Sequence, residues 1–216
     1  MKLLEKEKKD LIDYFVRKGT LKGKRIISAF KSVKRENFVL EEQKKYAYVD
    51  DPLPLMAGQT ISQPTTVAIM TEALEPLPGQ KILEIGTGSG YQAAILSKIA
   101  GSKGKVVTIE RIPELYEFAK NNLSRFRNVK VILGDGSLGW PKSAPFDRII
   151  VTAAAPKIPE TLFSQLKEGG ILITPVGKEL LSQKMLKVKK VKGKKEVEDL
   201  GYFVFVPLIG EMGFRK

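Results

Sequence analysis

Three glycines alternate with hydroxyl residues directly after a short apolar run in the middle of the chain. The apolar residues 82–85 are typical of a buried strand, and residues 92–100 predict a helix. Between them lies Gly86-Thr87-Gly88-Ser89-Gly90. A strand, a tight glycine turn and a helix N-terminus bring backbone N–H groups to a ligand that side chains would otherwise exclude. The stretch therefore predicts a binding site for a small molecule.

The spacing of these glycines narrows the kind of ligand. A dinucleotide fingerprint would place its third glycine at position 91, which is Tyr91. The spacing of two and two instead resembles the S-adenosylmethionine-binding loop of Rossmann-like methyltransferases, which lies against the methionine end of the cofactor. We therefore expect S-adenosyl-L-methionine as the cofactor and S-adenosyl-L-homocysteine as its product.

Two acidic residues follow predicted strands and would complete such a site. A strand over 105–109 ends at Glu110, twenty residues beyond Gly90, where a carboxylate would meet the ribose hydroxyls. A strand over 129–133 precedes Gly134-Asp135-Gly136, and an Asp there accepts from the adenine amine in this fold class. Each acid also has a simpler interpretation, since Glu110 suits a solvated strand end and Asp135 a turn between glycines.

The segment at residues 58–65, Gly-Gln-Thr-Ile-Ser-Gln-Pro-Thr, precedes an apolar helix predicted over 67–74 and has two interpretations. In one, Ser62 or Gln63 ends the loop and hydroxyl oxygens cap free N–H groups of the helix, with Pro64 in the first turn. In the other, the hydroxyls and the helix N-terminus point to one spot and bind an anion. Spacing alone favours capping over catalysis.

Composition excludes several kinds of chemistry. The 216 residues include neither Cys nor His, which excludes thiolate sites, disulfides and any Ser-His-Asp triad. We expect no bound metal, and we interpret Asp50 and Asp51 as turn residues before Pro52 rather than as a metal or acid/base pair. Seven lysines between Lys184 and Lys195 supply much of the net charge of +13. Lysines that alternate on an edge strand are typical of solvated protection against aggregation.

Strands that alternate with helices predict an α/β fold with a doubly wound, mostly parallel sheet. The predicted strands are 82–85, 105–109, 129–133, 146–152 and 171–176, and the predicted helices include 3–18, 22–33, 113–123 and 159–166. Strand-like stretches at 184–191 and 201–207, around a turn at Gly193, predict an antiparallel addition to the sheet edge. We expect one domain, with a helical cap and substrate-side loop (1–60), a cofactor-binding core (61–177) and antiparallel strands (178–216).

Four stretches together resemble the protein-L-isoaspartate (D-aspartate) O-methyltransferase family, over roughly residues 39–213. They are 58–64, 83–91, 134–136 with 146–156, and 206–210. The glycine loop is shared by many methyltransferases, whereas the segment 58–64 is far more restricted to this family. The combination of that segment with Val151-Thr152-Ala153-Ala154 makes the resemblance strong.

The resemblance implies an S-adenosylmethionine-dependent, Rossmann-like enzyme. It would methylate the free carboxylate of L-isoaspartyl and D-aspartyl residues in damaged proteins and peptides, which initiates their repair. Ser62 corresponds to the family's active-site serine. Substrate contacts would come from Thr60, Ile61, Gln63, Val206, Pro207 and Leu208. Cofactor contacts would come from Glu84, Gly86, Thr87, Gly88, Ser89, Gly90, Tyr91, Glu110, Arg111, Asp135 and Gly136.

The implied chemistry suits a site without His or Cys. A carboxylate is already ionised near neutral pH, so its methylation needs no general base. We hypothesise that Ser62 orients the isoaspartyl carboxylate and is not a covalent nucleophile. Two alternatives stay open: a methyltransferase that acts on RNA, suggested by the charge, and a non-catalytic nucleotide-binding module.

The expected partners are isoaspartyl-containing peptides and proteins, with no nucleic acid and no membrane. No apolar run approaches the roughly 20 residues that span a bilayer, and the charged start lacks the apolar stretch of a signal peptide. Together with the absence of Cys, this predicts a cytoplasmic enzyme. Nothing in the sequence demands more than a monomer.

Overall fold

The structure is a computed structural model that describes residues 2–178 and 181–215. Its strands are β1 (Leu53–Pro54), β2 (Thr60–Ile61), β3 (Lys81–Ile85), β4 (Lys105–Glu110), β5 (Val129–Leu133), β6 (Phe146–Val151), β7 (Leu166–Val176), β8 (Gln183–Val191) and β9 (Lys194–Phe203). Its helices are α1 (Lys2–Arg17), α2 (Lys24–Ser32), α3 (Pro64–Leu74), α4 (Tyr91–Ala100), α5 (Pro113–Asn122) and α6 (Glu160–Ser164).

Seven strands form one sheet in the order β5-β4-β3-β6-β7-β8-β9, while β1 and β2 form a small antiparallel pair. The strands from β5 to β7 run parallel, and β8 and β9 continue the edge antiparallel. This confirms the predicted fold class. Strand order reverses at β3, since β4 lies on one side of it and β6 on the other. Ligands of open α/β sheets bind at the carboxyl ends of the strands at such a point.

The parallel strands are apolar because both faces of the sheet are covered, as parallel sheets require. Ile82 faces one core, which it shares with side chains of α1 to α5, whereas Leu83 and Ile85 face a second core that includes Leu162 and Phe163 of α6. These strand residues are at most 1% exposed. The helices thereby fix β3, the strand that ends in the glycine loop, in the middle of the molecule.

The segment between β6 and β8 differs from the prediction. The helix predicted over 159–166 covers only Glu160–Ser164, and β7 already begins at Leu166. Phe146 pairs with Leu166 and Arg148 with Ile171, so residues 167–170 bulge out of the ladder. The glycine pair at 169–170 lies inside this bulge rather than at a helix end, because Gly169 adopts a φ of +73° that interrupts regular pairing.

The second antiparallel strand was also predicted in the wrong place, at 201–207 instead of Lys194–Phe203. Lys192 and Gly193 both have positive φ, and Val191 pairs with Lys194, so a two-residue turn sets the register of this hairpin. The charged residues of β9 that follow this turn lie at the solvent-exposed edge of the sheet, where charged side chains remain hydrated. The apolar residues after Phe203 instead leave the sheet, and Ala154 N–H donates to Val206 O at 2.8 Å.

Helix α3 is capped from a distance. The carboxylate of Asp50 accepts from the Thr65 N–H at 2.8 Å and from the Thr65 hydroxyl at 2.5 Å. The N-cap residue Gln63 makes no side-chain cap and instead donates its amide to Asp50 O. Gln63 ends the loop and Pro64 begins the helix as predicted, but the prediction that hydroxyl oxygens of this segment cap the helix is wrong. Asp50 was predicted to be a turn residue only. Its side chain also accepts a hydrogen bond from a free N–H group at the N-terminus of α3.

Asp50→Ala should lower the free energy of unfolding by about 1 kcal/mol, since the Thr65 N–H loses its acceptor. Asp50→Asn retains a carbonyl acceptor and should lose less. The neighbouring Asp51 is exposed and its side chain bonds to no residue that the structure describes, so Asp51→Ala is the matched control. Urea denaturation measures all three. Equal effects of Asp50→Ala and Asp51→Ala would contradict the assignment of the cap.

Candidate functional site

A cavity opens where the carboxyl ends of β3, β4 and β6 meet. It has a volume of about 210 Å³ and opens to solvent, and its concave wall combines apolar and polar residues as small-molecule sites do. Its wall combines the glycine loop, the segment before α3, the end of β4 and a stretch from the far end of the chain. The lining residues are Gln59, Thr60, Ile61, Ser62, Val67, Glu84, Ile85, Gly86, Thr87, Gly88, Ser89, Tyr91, Gln92, Ile109, Glu110, Arg111, Ile112, Leu115, Gly136, Thr152, Ala153, Val206, Pro207, Leu208 and Ile209.

The glycine loop is held at its first residue by both neighbouring strands. Gly86 N–H donates to Ile109 O at 2.9 Å, and the Thr152 hydroxyl donates to Gly86 O at 2.7 Å. Gly86 has a φ of +88°, and a Cβ there would lie 2.4 Å from Thr152 Oγ1. Only glycine fits such a position. The loop therefore passes close to the end of β6.

Glu110 binds the loop to the end of β4. Its carboxylate accepts from Gly88 N–H at 2.9 Å, from Arg111 N–H at 2.9 Å and from Ile112 N–H at 3.0 Å. A carboxylate offers about four acceptor positions, so at least one remains for a ligand hydroxyl. Glu110 is 6% exposed and lines the cavity. This acid is thus both part of the scaffold of the loop and available to a bound molecule.

Glu84 is a buried acid directly before the loop. Its Oε2 accepts from the Thr108 hydroxyl at 2.6 Å, and Thr108 Oγ1 lies 2.7 Å from Thr87 Oγ1. Its other oxygen, Oε1, is buried without a hydrogen-bond partner in the part of the chain that the structure describes. Burial raises the pKa of Glu84 to about 8, although the Thr108 bond opposes the shift, and the charge of Glu110 adds to it. Glu84 is therefore largely protonated at neutral pH.

Ser62 follows β2 and enters the cavity wall just before α3. The pairing of Ile61 with Leu53 sets its position, and Arg35 Nη2 donates to its main-chain oxygen at 2.9 Å. The Ser62 hydroxyl bonds to no residue within 2–178 or 181–215. Since Asp50 caps α3, this hydroxyl is available to a ligand in the cavity.

Three predicted site residues do not reach the cavity wall. The Gln63 amide donates to Asp50 O. Gly90 faces Leu123, whose Cδ1 would lie 2.8 Å from a Cβ at that glycine. The remaining fifteen predicted residues lie in the wall: Thr60, Ile61, Ser62, Glu84, Gly86, Thr87, Gly88, Ser89, Tyr91, Glu110, Arg111, Gly136, Val206, Pro207 and Leu208.

Asp135 is the third predicted site residue that lies outside the cavity wall, and it binds the C-terminal segment of the chain. Its carboxylate accepts from Ser137 N–H at 2.8 Å and from Glu211 N–H at 2.7 Å. Partial burial raises the pKa of Asp135, but these hydrogen bonds outweigh burial and hold the pKa below its usual value. The Ser137 hydroxyl accepts from Met212 N–H as well. Together these bonds hold the stretch that follows the cavity residues 206–209.

The prediction missed several apolar and amide residues of the wall. They are Gln59, Val67, Ile85, Gln92, Ile109, Ile112, Leu115 and Ile209. Thr152 and Ala153, which belong to a stretch that carries the family resemblance, lie in the wall as well. Ile112 and Leu115 follow Glu110 at the start of α5, and that position after an acid at a strand end was a usable signal. The others are indistinguishable from core residues in sequence.

A doubly wound sheet, a glycine loop at the reversal point and an acid on the next strand define a Rossmann-like cofactor-binding fold, and the spacing of glycines 86, 88 and 90 resembles that of the methyltransferases in this class. The family model for protein-L-isoaspartate(D-aspartate) O-methyltransferase matches residues 6–213. The chain belongs to this family. A Staphylothermus marinus protein-L-isoaspartate O-methyltransferase is 50% identical over 98% of this chain and 97% of its own length. One from Pyrococcus horikoshii is 51% identical over 99% and 97%.

Solved structures agree with this family. A protein-L-isoaspartate O-methyltransferase superposes with a TM-score of 0.87 at 33% identity, covering 95% of this chain and 67% of the other. A Plasmodium falciparum protein of the same description, in complex with S-adenosyl-L-homocysteine, gives a TM-score of 0.83 at 26% identity over 93% and 97%. The predicted family, fold and enzyme activity are confirmed. Within residues 2–178 and 181–215, no helix combines the length and apolarity needed to span a bilayer.

Glu84 should make the stability of the free protein depend on pH. Its folded pKa of about 8 exceeds the ordinary value of 4.5, so between these values the folded state binds more protons than the unfolded state. The free energy of unfolding therefore decreases as the pH rises from about 4.5 to about 8, by up to about 1.4 kcal/mol per pH unit.

Glu84→Gln has no such proton to lose. Its free energy of unfolding should rise relative to wild type as the pH increases from 5 to 8, measured by urea denaturation at each pH. The exposed Glu117→Gln controls for removal of a glutamate. A constant difference between Glu84→Gln and wild type across this range would contradict the burial argument.

Proposed function

We propose that this chain transfers a methyl group from S-adenosyl-L-methionine to the free carboxylate of L-isoaspartyl and D-aspartyl residues in this cavity, with Ser62 orienting the carboxylate. One observation supports the placement above all. The Ser62 hydroxyl lies in the cavity wall together with the glycine loop and has no hydrogen-bond partner among the described residues. A hydroxyl in this position can donate to a carboxylate oxygen.

The residues around the loop fit the cofactor. Gly86 and Gly88 leave space for the methionine portion, and Glu110 keeps an acceptor for the ribose hydroxyls. The Oε1 atom of Glu84 is buried without a hydrogen-bond partner among the described residues, and a polar group on the ligand would satisfy it. We assign Thr87, Ser89, Tyr91 and Arg111 to the same cofactor site, and Gly90, which lies outside the wall, to the turn that supports it.

The adenine end has a different wall. Ile112, Leu115 and Gly136 offer apolar and backbone surface beside Glu110. Asp135 has two of its acceptor positions taken by Ser137 and Glu211, so a contact with the adenine amine would use a remaining lone pair. We propose Gly136 as the closer neighbour of the base and Asp135 as the residue that holds the adjoining segment in place.

The reaction asks little of the protein beyond alignment. The cofactor supplies an activated methyl group on a sulfonium, and a carboxylate oxygen attacks that carbon as the carbon–sulfur bond breaks. The attacking carboxylate is ionised near neutral pH, so no side chain has to remove a proton. Ser62 would hold one carboxylate oxygen while the other points at the methyl group. Positioning of this kind can supply roughly 7–11 kcal/mol.

We assign substrate binding to residues from two distant parts of the chain. Thr60 and Ile61 lie beside Ser62 in the wall, and Val206, Pro207 and Leu208 lie across from the glycine loop. Gln63 supports the segment from behind through its bond to Asp50 O. We keep the predicted division into an N-terminal cap and substrate-side loop (1–60), a cofactor-binding core (61–177) and C-terminal strands (178–216) within one domain.

We further infer a cytoplasmic monomer that binds damaged proteins and no nucleic acid. Three lysines of the C-terminal strands already pair with acids: Lys184 with Asp199, Lys187 with Glu75 and Glu198, and Lys195 with Glu160. Such pairing lowers the local positive charge that would attract phosphates. The absence of Cys supports a reducing compartment.

Ser62→Ala should lower turnover by a few tens of fold or more, because the carboxylate loses its orienting donor. Binding of S-adenosylhomocysteine should stay nearly unchanged, and the free energy of unfolding should change by no more than about 0.5 kcal/mol, since Asp50 caps α3. The exposed Ser124→Ala is the control. Equal loss of turnover and cofactor binding would point to a structural role for Ser62.

The activity itself is tested with methyl-labelled S-adenosylmethionine and two peptides of identical sequence, one with isoaspartate and one with aspartate. Bulk tRNA forms a third sample. We expect base-labile label on the isoaspartyl peptide alone, because only the misplaced backbone presents its carboxylate to the cavity. Label in the tRNA, with both peptides blank, would contradict the proposed substrate.

A further inference from the structure

Arg35 is a fully buried cation beside the candidate site. It begins a short helical turn after α2 and is 0% exposed. Its Nη2 donates to Ser62 O at 2.9 Å, and its Cζ lies 5.1 Å from the centre of the Tyr91 ring. Both Ser62 and Tyr91 line the cavity. The guanidinium therefore lies directly behind the wall that faces the substrate.

This charge makes no salt bridge with any acid in the part of the chain that the structure describes. Arg35 Nε and Nη1 are buried without hydrogen-bond partners. Asp50, an acid that acts on Arg35 through space, has both carboxylate oxygens bonded to Thr65. Burial lowers the pKa of Arg35 to about 10, against the opposing influence of Tyr91, Tyr48 and Asp50. The guanidinium thus stays charged at neutral pH.

A buried cation without a directly bonded anion is costly. The proposed reaction brings an anion to the same wall, because an isoaspartyl carboxylate is ionised at neutral pH. The methyl ester that forms carries no charge at that position. The free protein therefore holds a positive charge that suits the substrate and not the product.

We propose that Arg35 is a positioning residue that holds the Ser62 main chain and supplies the buried positive charge that selects an ionised carboxylate at the Ser62 hydroxyl. This inference rests on the proposed function of the cavity. It assigns recognition of the carboxylate charge to a residue outside the cavity wall. It also gives the neutral ester a reason to leave, since the attraction ends when the negative charge is lost.

A simpler role would be mechanical support of the Ser62 loop. The two roles differ in what they do to charge preference. Support alone would weaken binding of any peptide at this site by the same factor. The charge acts on the carboxylate and leaves an uncharged peptide of the same shape nearly unaffected.

The test compares binding of two peptides to the protein saturated with S-adenosylhomocysteine. One peptide contains isoaspartate, and the other has the same residue with its free carboxylate converted to the carboxamide. Wild type should prefer the carboxylate peptide by at least about tenfold, which corresponds to about 1.4 kcal/mol. Arg35→Gln should lose this preference, and Arg35→Lys, which keeps the charge, should retain most of it. Isothermal titration calorimetry gives the dissociation constants.

Arg148→Met is the matched control. Arg148 is also buried, at 9% exposed, but it bonds to Glu75 O and Asp147 O and does not line the cavity. It should leave the preference for the carboxylate unchanged. Arg35→Gln with an unchanged preference, or wild type with no preference, would overturn the inference. The second outcome needs no variant, so it stands even if substitutions at Arg35 prevent folding.

The proposed function is checked separately by methylation of the isoaspartyl peptide by wild type. If wild type methylates it and Arg35→Gln keeps the charge preference, the role of Arg35 fails while the proposed function stands. If wild type methylates neither peptide, the proposed function fails first.

Discussion

The close passage of the glycine loop between β4 and β6 is the constraint on which the site depends. Gly86 donates to Ile109 O and accepts from Thr152, so one residue contacts the ends of two neighbouring strands. A side chain at Gly86 would displace one of them. Glu110, the last residue of β4 and next to Ile109, accepts from Gly88 N–H as well. The sheet therefore fixes the loop, and the loop fixes the position of any ligand against it.

The charged guanidinium of Arg35 and the titratable carboxyl group of Glu84 lie in separate regions of the site. Arg35 is charged and lies behind Ser62, whereas Glu84 is buried behind the glycine loop and is largely neutral at pH 7. The carboxylate substrate and the cationic cofactor would thus meet different electrostatic surroundings within one cavity. Such an arrangement needs no titrating histidine, which agrees with a chain that contains none and with a reaction whose nucleophile is already ionised.

Local patterns predicted the parts of the fold that local interactions determine. The glycine loop, the acid at the end of β4 and the alternation of strands and helices follow from short stretches of sequence, and the strand Val129–Leu133 has the predicted bounds. The cap on α3 was mispredicted because its donor and acceptor, Thr65 and Asp50, are fifteen residues apart. No local pattern distinguishes Asp50 from the exposed Asp51.

The same limit applies to the site. The Asp135 carboxylate, which was predicted to contact the adenine, also accepts from Glu211 N–H, and this bond between residues 76 positions apart is visible only in the folded chain. The burial of Arg35 gives no sequence signal, because an arginine in a polar segment ordinarily indicates exposure. Charged β9 was displaced in the prediction because a solvated edge strand lacks the apolar pattern that marks a strand. What sequence could not provide is therefore the set of long-range partners.

The part of the cavity wall formed by residues 206–209 affects the order in which the pocket forms during synthesis. Residues 206–209 are anchored to Ala154 and lie more than a hundred positions after the glycine loop. During synthesis, the sheet strands up to β7 emerge well before this wall exists. The nascent chain can thus assemble the loop, but it cannot enclose a peptide against it. The pocket is therefore completed only after the parallel sheet has formed, when residues 206–209 pair with Ala154.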